Sequence, residues 1–547
     1  MSTGSQGGRE IDTFDEGTTV SFSTLPEGDG LVVRDAVMQR QCKLLADSFL
    51  NPKPERKPVF DVPIDTATSV TVSRLSITQL SSTFVWTSEG EIFEELHQQN
   101  EISVPEGVYD IEFDGPLKMY IRLRGPCHIE TSSMFDEVNF KEPTEVTIGA
   151  RSHHSQPAGT ITTTENPQDI MQAVSALSSA LKTTSPERSF PTLRGHPPAI
   201  ELSDNLTIPE HLNTSETGIQ IELPKTHEAV YTASPLAYYL GADVVPGRRP
   251  QIVTDQGFEY HLGPDFEDAV ERALRQTFFL DCLVRTEGRY QVNLHERKQV
   301  AANLEIDLGE LYDQSPAERL SSYLGVNFDS ISDQIPKWKL TAHVTPDAGN
   351  VETLPFLIDD LAIIRTPEKT HNKKPVSGED NNNHSAPDEF VRSASASTNT
   401  GPSLVQPATT ETLEQSWVGE NAPVGANKVV PEAFKNRINT EPTDGNINIT
   451  VICNDENMLA EHEDVQDIYD SCDFPSSITV HENLTTDRLK LVLESEIDFL
   501  HYIGHIEPGG FRCPDGLLDA GELQSVGLSS FFLNACQSYE QGRALIK

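Results

Sequence analysis

Two residues able to share acid–base and nucleophilic chemistry stand near the end of this 547-residue chain, within IDFLHYIGHIEPGGFRCPDGLLDAGELQSVGLSSFFLNACQS, Ile497 to Ser538. A thiolate is a strong nucleophile, and an imidazole within hydrogen-bond reach can take the thiol proton and later return it to a leaving amine. His505 and Cys536 are assigned to these roles. The apolar runs Ile497 to Ile503 and Phe531 to Ala535 each stop just before one of them, and each has the length of a buried strand. Parallel neighbours lie about 4.8 Å apart, so their carboxyl ends would bring the two side chains together, where open α/β sheets keep their chemistry. The backbone N–H of Cys536 and the amino end of a helix starting near Ser538 would face the developing oxyanion.

Plainer readings compete for each residue. A lone cysteine after an apolar strand packs as a small core residue, and a histidine at a strand end is solvated. It is their coincidence at two strand ends that favours catalysis. His501 and His505 stand four apart, as zinc-binding histidines do on a helix, but along a strand they would be about 13 Å apart, and no Glu follows His501. No metal and no cofactor is therefore expected. Cys513, in RCPDG, reads as an ordinary loop cysteine.

The elements that must position the pair form an α/β pattern. INITVIC (Ile447 to Cys453) and SSITV (Ser476 to Val480) read as strands, each followed by a helical segment, Met458 to Tyr469 and Thr486 to Leu493. His505 and Cys536 then follow the third and fourth strands of a parallel sheet. Asp519 and Glu522 form a capping-box start for a short helix between them.

The rest of the chain implies a multidomain protein. Residues 1–55 read as a loosely ordered lead-in, with enough apolar residues from Leu31 to Leu50 for a helix or two. Residues 56–150 form a β-rich, sandwich-like module, with runs such as VTVSRLSITQL and LKMYIRLRG. Residues 151–365 form a mixed α/β region. Its helices are marked by Asn166-Pro167 before Ile170, Val174, Leu177 and Leu181, by Phe266, Val270, Leu274 and Phe278, and by Ser315-Pro316, and a hairpin turns near Asp255 and Gly257. His153-His154 and Asp359-Asp360 read as solvated surface. Residues 366–440 are a low-complexity, disordered linker in which Trp417 and Val418 stand alone, and 441–547 form the α/β unit.

Asp and Glu total 84 against 41 Lys and Arg, a net charge of -43 that repels nucleic acid and anionic membrane surfaces. The excess is spread along the chain, which suits concentrated salt; an acidic protein with long disordered segments is the plainer reading. Seven scattered cysteines without a C-x-x-C pair give no disulfide or zinc framework, and the amino terminus carries no signal peptide, so a cytoplasmic location is expected.

HYIGH, DGLLDA and FFLNACQS resemble the CHAT family of caspase-like proteins, relatives of caspases and separase, and the acidic setting resembles its haloarchaeal branch. Gly504-His505 and Ala535-Cys536 match that family's Gly-His and Ala-Cys. The resemblance implies a caspase-haemoglobinase fold over about Asn446 to Lys547, a cysteine endopeptidase with His505 as base and Cys536 as nucleophile, and an N-terminal region that senses, recruits or restrains. Relatives commonly carry Gly after the histidine, its N–H helping to form the oxyanion hole; here Ile506 supplies that N–H beside that of Cys536. Such folds place further strands after the nucleophile, so with Lys547 only 547 − 536 = 11 residues on, a C-terminally truncated domain is expected: a fragment, a frameshifted product, or one half of a split protein whose sheet another chain completes. The partners implied are a protein substrate or a regulatory protein. The alternative is a non-catalytic interaction or scaffold protein with a degenerate caspase-like domain.

Overall fold

The computed structural model describes residues 19–547, apart from 27–28, 48–49, 56–59, 79–81, 98–99, 133, 213, 215, 290, 301–306, 368–402, 441–444, 456–468 and 470–474. The chain forms two compact units, Met1–Pro367 with Thr409–Gly419, and Glu368–Ala408 with Glu420–Lys547. The architecture is multi-sheet mixed α/β.

The first unit opens with a twelve-stranded antiparallel sheet running from Val20–Thr24 to Phe135–Arg151. The helix or two expected over Leu31 to Leu50 is instead a β-hairpin, Gly30–Asp35 against Arg40–Ala46, with Gly30 opposite Leu45 and Asp35 opposite Arg40. The pairs Leu31/Val33 and Cys42/Leu44 are buried at period two, which fits a strand and not a helix. Asp35 Oδ1 accepts from the N–H groups of Val37 and Met38 and fixes the turn. Strands Val20–Thr24, Gly30–Asp35 and Arg40–Ala46 thus belong to the β module and are not a loose lead-in.

The mixed region follows its sequence signals closely. Helix Pro167–Ala176 starts on Asn166, whose side chain accepts from Gln168 N–H. Helix Phe266–Val284 buries Val270 and Leu274, and Pro316–Gly325 starts on a complete Ser315/Glu318 capping box. Strands Gln251–Thr254 and Glu259–His261 make the expected hairpin. His154, read as solvated, is buried, with φ of 50° and neither ring nitrogen hydrogen-bonded among the described residues. Burial, reinforced by the charge of Lys182, lowers its pKa to about 3.

Residues 368–402 of the expected linker lie outside the described residues, and from residue 403 on the linker reading does not hold. Glu414–Val418 is a strand of the first unit, pairing parallel with Leu340–Val344, which pairs on its other side with Ile363–Arg365. Trp417 is 3 % exposed. Its polar neighbours hide the signal: Ser416, Trp417 and Val418 are all buried, while the sequence around them reads as low complexity. Helix Pro431–Asn439 also lies in the expected linker.

In the second unit a four-stranded sheet runs in the order Ser476–Glu482, Ile447–Cys453, Ile497–Ile503, Leu528–Asn534, every pair parallel. Alternation gives it two packed faces. Ile452, Leu500 and Tyr502 join helix residues Leu489 and Leu493 on one side, while Val451, Cys453 and Ile503 pack on the other. Helix Thr486–Leu493 matches its expected bounds; Asp515 caps it, Oδ1 accepting from Thr486 N–H and Oδ2 from its Oγ1. The segment Met458 to Tyr469 lies outside the described residues except for Tyr469.

Candidate active site

The loop expected between the two site residues is a three-stranded meander, Ile506–Glu507, Gly510–Cys513 and Gly516–Leu518. Gly510 has φ of 133°, and a Cβ there would stand 2.1 Å from the Leu518 carbonyl oxygen, so only glycine fits. The helix expected after Asp519 is a single 3-10 turn, Ala520–Glu522. Asp519 caps it through Gly521 N–H, but the reciprocal bond that would make a capping box does not form. Gln541 ties this turn to the last helix, accepting from Ala520 N–H and donating to Asp519 Oδ1.

The site is organised by one register row. Cys453 pairs with Ile503, and Ile503 with Asn534. Two residues beyond each of these, at the carboxyl edge of the sheet, stand Asp455, His505 and Cys536. The strand order reverses direction between the strands that lead to Asp455 and His505, which is the switch point where parallel sheets open a crevice.

His505 Nε2 lies 2.6 Å from Asp455 Oδ2; the histidine side chain is 50 % exposed and the carboxylate 11 %. With Nε2–H donating to the carboxylate, Nδ1 is left as the acceptor that can take a proton. The backbone around the pair is held on several sides. His505 O accepts from Arg512 N–H at 3.0 Å and from Tyr502 OH at 3.3 Å, and Gly504 N–H donates to Asn534 O at 3.4 Å. The bond from Arg512 to His505 makes these a hydrogen-bonded pair of the antiparallel ladder, so alternation turns the N–H of Ile506 away from strand Gly510–Cys513.

Cys536 follows strand Leu528–Asn534 at a sharp turn. Gln537, next in the chain, has φ of 61° and caps helix Ser538–Ile546 without a side-chain bond. Cys536 is the one exposed cysteine among those described. The helix amino end therefore stays open beside the thiol, which favours negative charge there.

Asp455 escaped the sequence reading, although its signal was present. It lies two residues past the apolar strand INITVIC, the same offset that His505 and Cys536 have from their own strands. Asn454, just before it, clamps the strand end. Its Nδ2 donates to the carbonyls of Leu484 and Arg512 and to Cys513 Sγ, while Oδ1 accepts from Leu484 N–H at 2.7 Å.

The rival residues have structural roles. His501 is buried in the strand; its Nδ1 lies 3.0 Å from Tyr469 OH, its ring stacks edge-on against Phe532, and burial lowers its pKa. Cys513, expected in a loop, ends a short strand and is buried, and desolvation pushes its thiol up to about 11.

The fold and the site together define a multi-sheet α/β protein whose carboxyl-terminal parallel sheet sets an Asp–His pair and an exposed cysteine along one edge. No family model matches the chain, and no curated protein or solved structure is significantly similar to it. No helix among the described residues is long and apolar enough to cross a membrane.

Proposed function

We propose that the second unit is a cysteine endopeptidase module of CHAT type, with Asp455, His505 and Cys536 as its working residues and the first unit as a regulatory or sensing region. The observation that carries this reading is the shared register row, with the short contact between His505 Nε2 and Asp455 Oδ2. In the reaction, His505 Nδ1 takes the Cys536 proton and the sulfur attacks the peptide carbonyl carbon. The carbonyl π pair moves to oxygen, which the N–H groups of Cys536 and Ile506 receive. Collapse of this adduct expels the amine, which takes the proton from the imidazolium. Water, deprotonated by His505, then cleaves the thioester and restores the thiol. Asp455 fixes the tautomer of the neutral imidazole and stabilises the imidazolium that forms from it.

The test is cleavage of a denatured protein and of a peptide library by the full chain. Cleavage that is lost in both Cys536→Ala and His505→Ala supports the reading. Cleavage that survives Cys536→Ala, or none in the parent chain, overturns it. A second reading, an interaction module, draws on the sheet edge: Leu528–Asn534 pairs on one side only among the described residues, and Phe532 is half exposed. Such an edge accepts a strand from a partner chain.

A further inference from the structure

The first unit holds a cleft of about 360 Å³ beside the last turns of helix Phe266–Val284. Two arginines line it, and both are fixed from behind. Arg194 is 8 % exposed; its Nη1 donates to the carbonyls of Arg188 and Ser189 at 2.9 and 3.0 Å, and its buried Nε has no hydrogen-bond partner among the described residues. Arg285 donates to Ser189 Oγ at 2.9 Å and stacks 3.8 Å over the Phe190 ring. Neither guanidinium meets a carboxylate among the described residues. Asp281, a buried acid of this region, is already engaged by Arg188 at 2.8 Å, by Arg319 at 3.7 Å and by the hydroxyls of Tyr239 and Tyr323.

The lining as a whole is cationic and aromatic. Arg194, Arg285, Lys337 and Lys339 face two acids, Glu296 and Asp360, a balance of 4 − 2 = +2 in a chain of net charge -43. Lys339 already holds Asp360 at 2.6 Å, and Lys337 is exposed. Phe278 lies 5.7 Å from the Arg194 guanidinium and meets Trp338 edge-on at 5.3 Å, while Trp338 Nε1 donates to Leu361 O. Buried charge without a counterion is costly, and a pocket that pairs fixed cations with an aromatic wall matches one kind of ligand.

We propose that this cleft binds a small organic anion, an acid headgroup on an aromatic body, with the headgroup on Arg194 and Arg285 and the ring against Phe278 and Trp338. Arginine pairs suit a planar carboxylate, since their fixed N–H forks match its two oxygens. This assignment stands whether or not the second unit cleaves peptides.

Calorimetric titration of the full chain with 2-naphthoate and its uncharged counterpart 2-naphthamide tests it. The expected result is one naphthoate per chain, with naphthamide at least about tenfold weaker. Arg285→Gln is expected to weaken naphthoate about tenfold, and Lys337→Glu, at the exposed mouth, about threefold. Absence of saturable binding, equal affinity for the amide, or unchanged affinity in Lys337→Glu overturns the proposal. The Lys337 variant decides the matter even where Arg285→Gln fails to fold.

Discussion

Asp455 acts on the proposed chemistry only through His505, so its removal should act on the reaction more than on the fold. Asp455→Asn keeps the shape but no longer holds the tautomer that leaves Nδ1 free. We expect Cys536-dependent cleavage to fall roughly 10²- to 10⁴-fold, with the thermal transition little changed. Equal losses of activity and melting temperature would instead make Asp455 a structural residue. Thiol reactivity follows burial in the same way. Desolvation pushes Cys42 and Cys513 up to about 11 and Cys127 to about 12. At pH 8 a thiol with a pKa of 11 is only about 0.1 % thiolate, so these three stay protonated as well as covered. A limiting dose of iodoacetamide at pH 8 should therefore modify Cys536 first, read by peptide mass spectrometry against those three cysteines. Preferential modification of Cys513 would contradict the burial argument.

At the scale of elements, strand Glu414–Val418 joins residues far along the chain to the first unit's parallel sheet. Trp417→Ala removes a buried indole from it and should cost about 3–5 kcal/mol in chemical unfolding of that unit. A cost near zero would mean that the strand merely rests on the sheet. His154 couples the same unit to pH. Its folded pKa of about 3 lies below the ordinary 6.5, so the unfolded chain binds the proton better, and the stabilisation is complete above pH 6.5. It declines as pH falls towards 3. Between pH 7 and pH 5 the loss should be on the order of 2 kcal/mol, and His154→Asn, which tolerates the positive φ, should flatten that slope. An unchanged slope would assign the pH dependence to other groups.

Across the whole molecule, the -43 charge sets how stability responds to salt. Arg365, among Glu267, Asp268 and Glu271, is a local example of one cation serving several acids. Raising KCl from 0.1 to 1 M shortens the screening length from about 10 Å to about 3 Å and relieves repulsion over the surface. The melting temperature should rise by roughly 5 °C. A fall would mean that specific ion pairs outweigh the general repulsion.

Local pattern alone determined the four strands of the second unit's parallel sheet, the helix Thr486–Leu493, the capped helices after Asn166 and Ser315, and the placing of His505 and Cys536 at two strand ends. Each of these depends on side-chain periodicity or a cap within a few residues, and such signals survive in one dimension. Tertiary structure decided the rest. Gly30–Ala46 pairs as a hairpin because the neighbouring sheet rewards period two, and Trp417 orders its strand because Leu340–Val344, about 75 residues away, presents an open edge. Asp455 became a partner of His505 only when parallel register brought three separate strand ends to one row. His154 and Arg194 owe their burial to elements distant in sequence. No local pattern encodes what will cover a residue, because burial depends on which surfaces meet after the chain has folded.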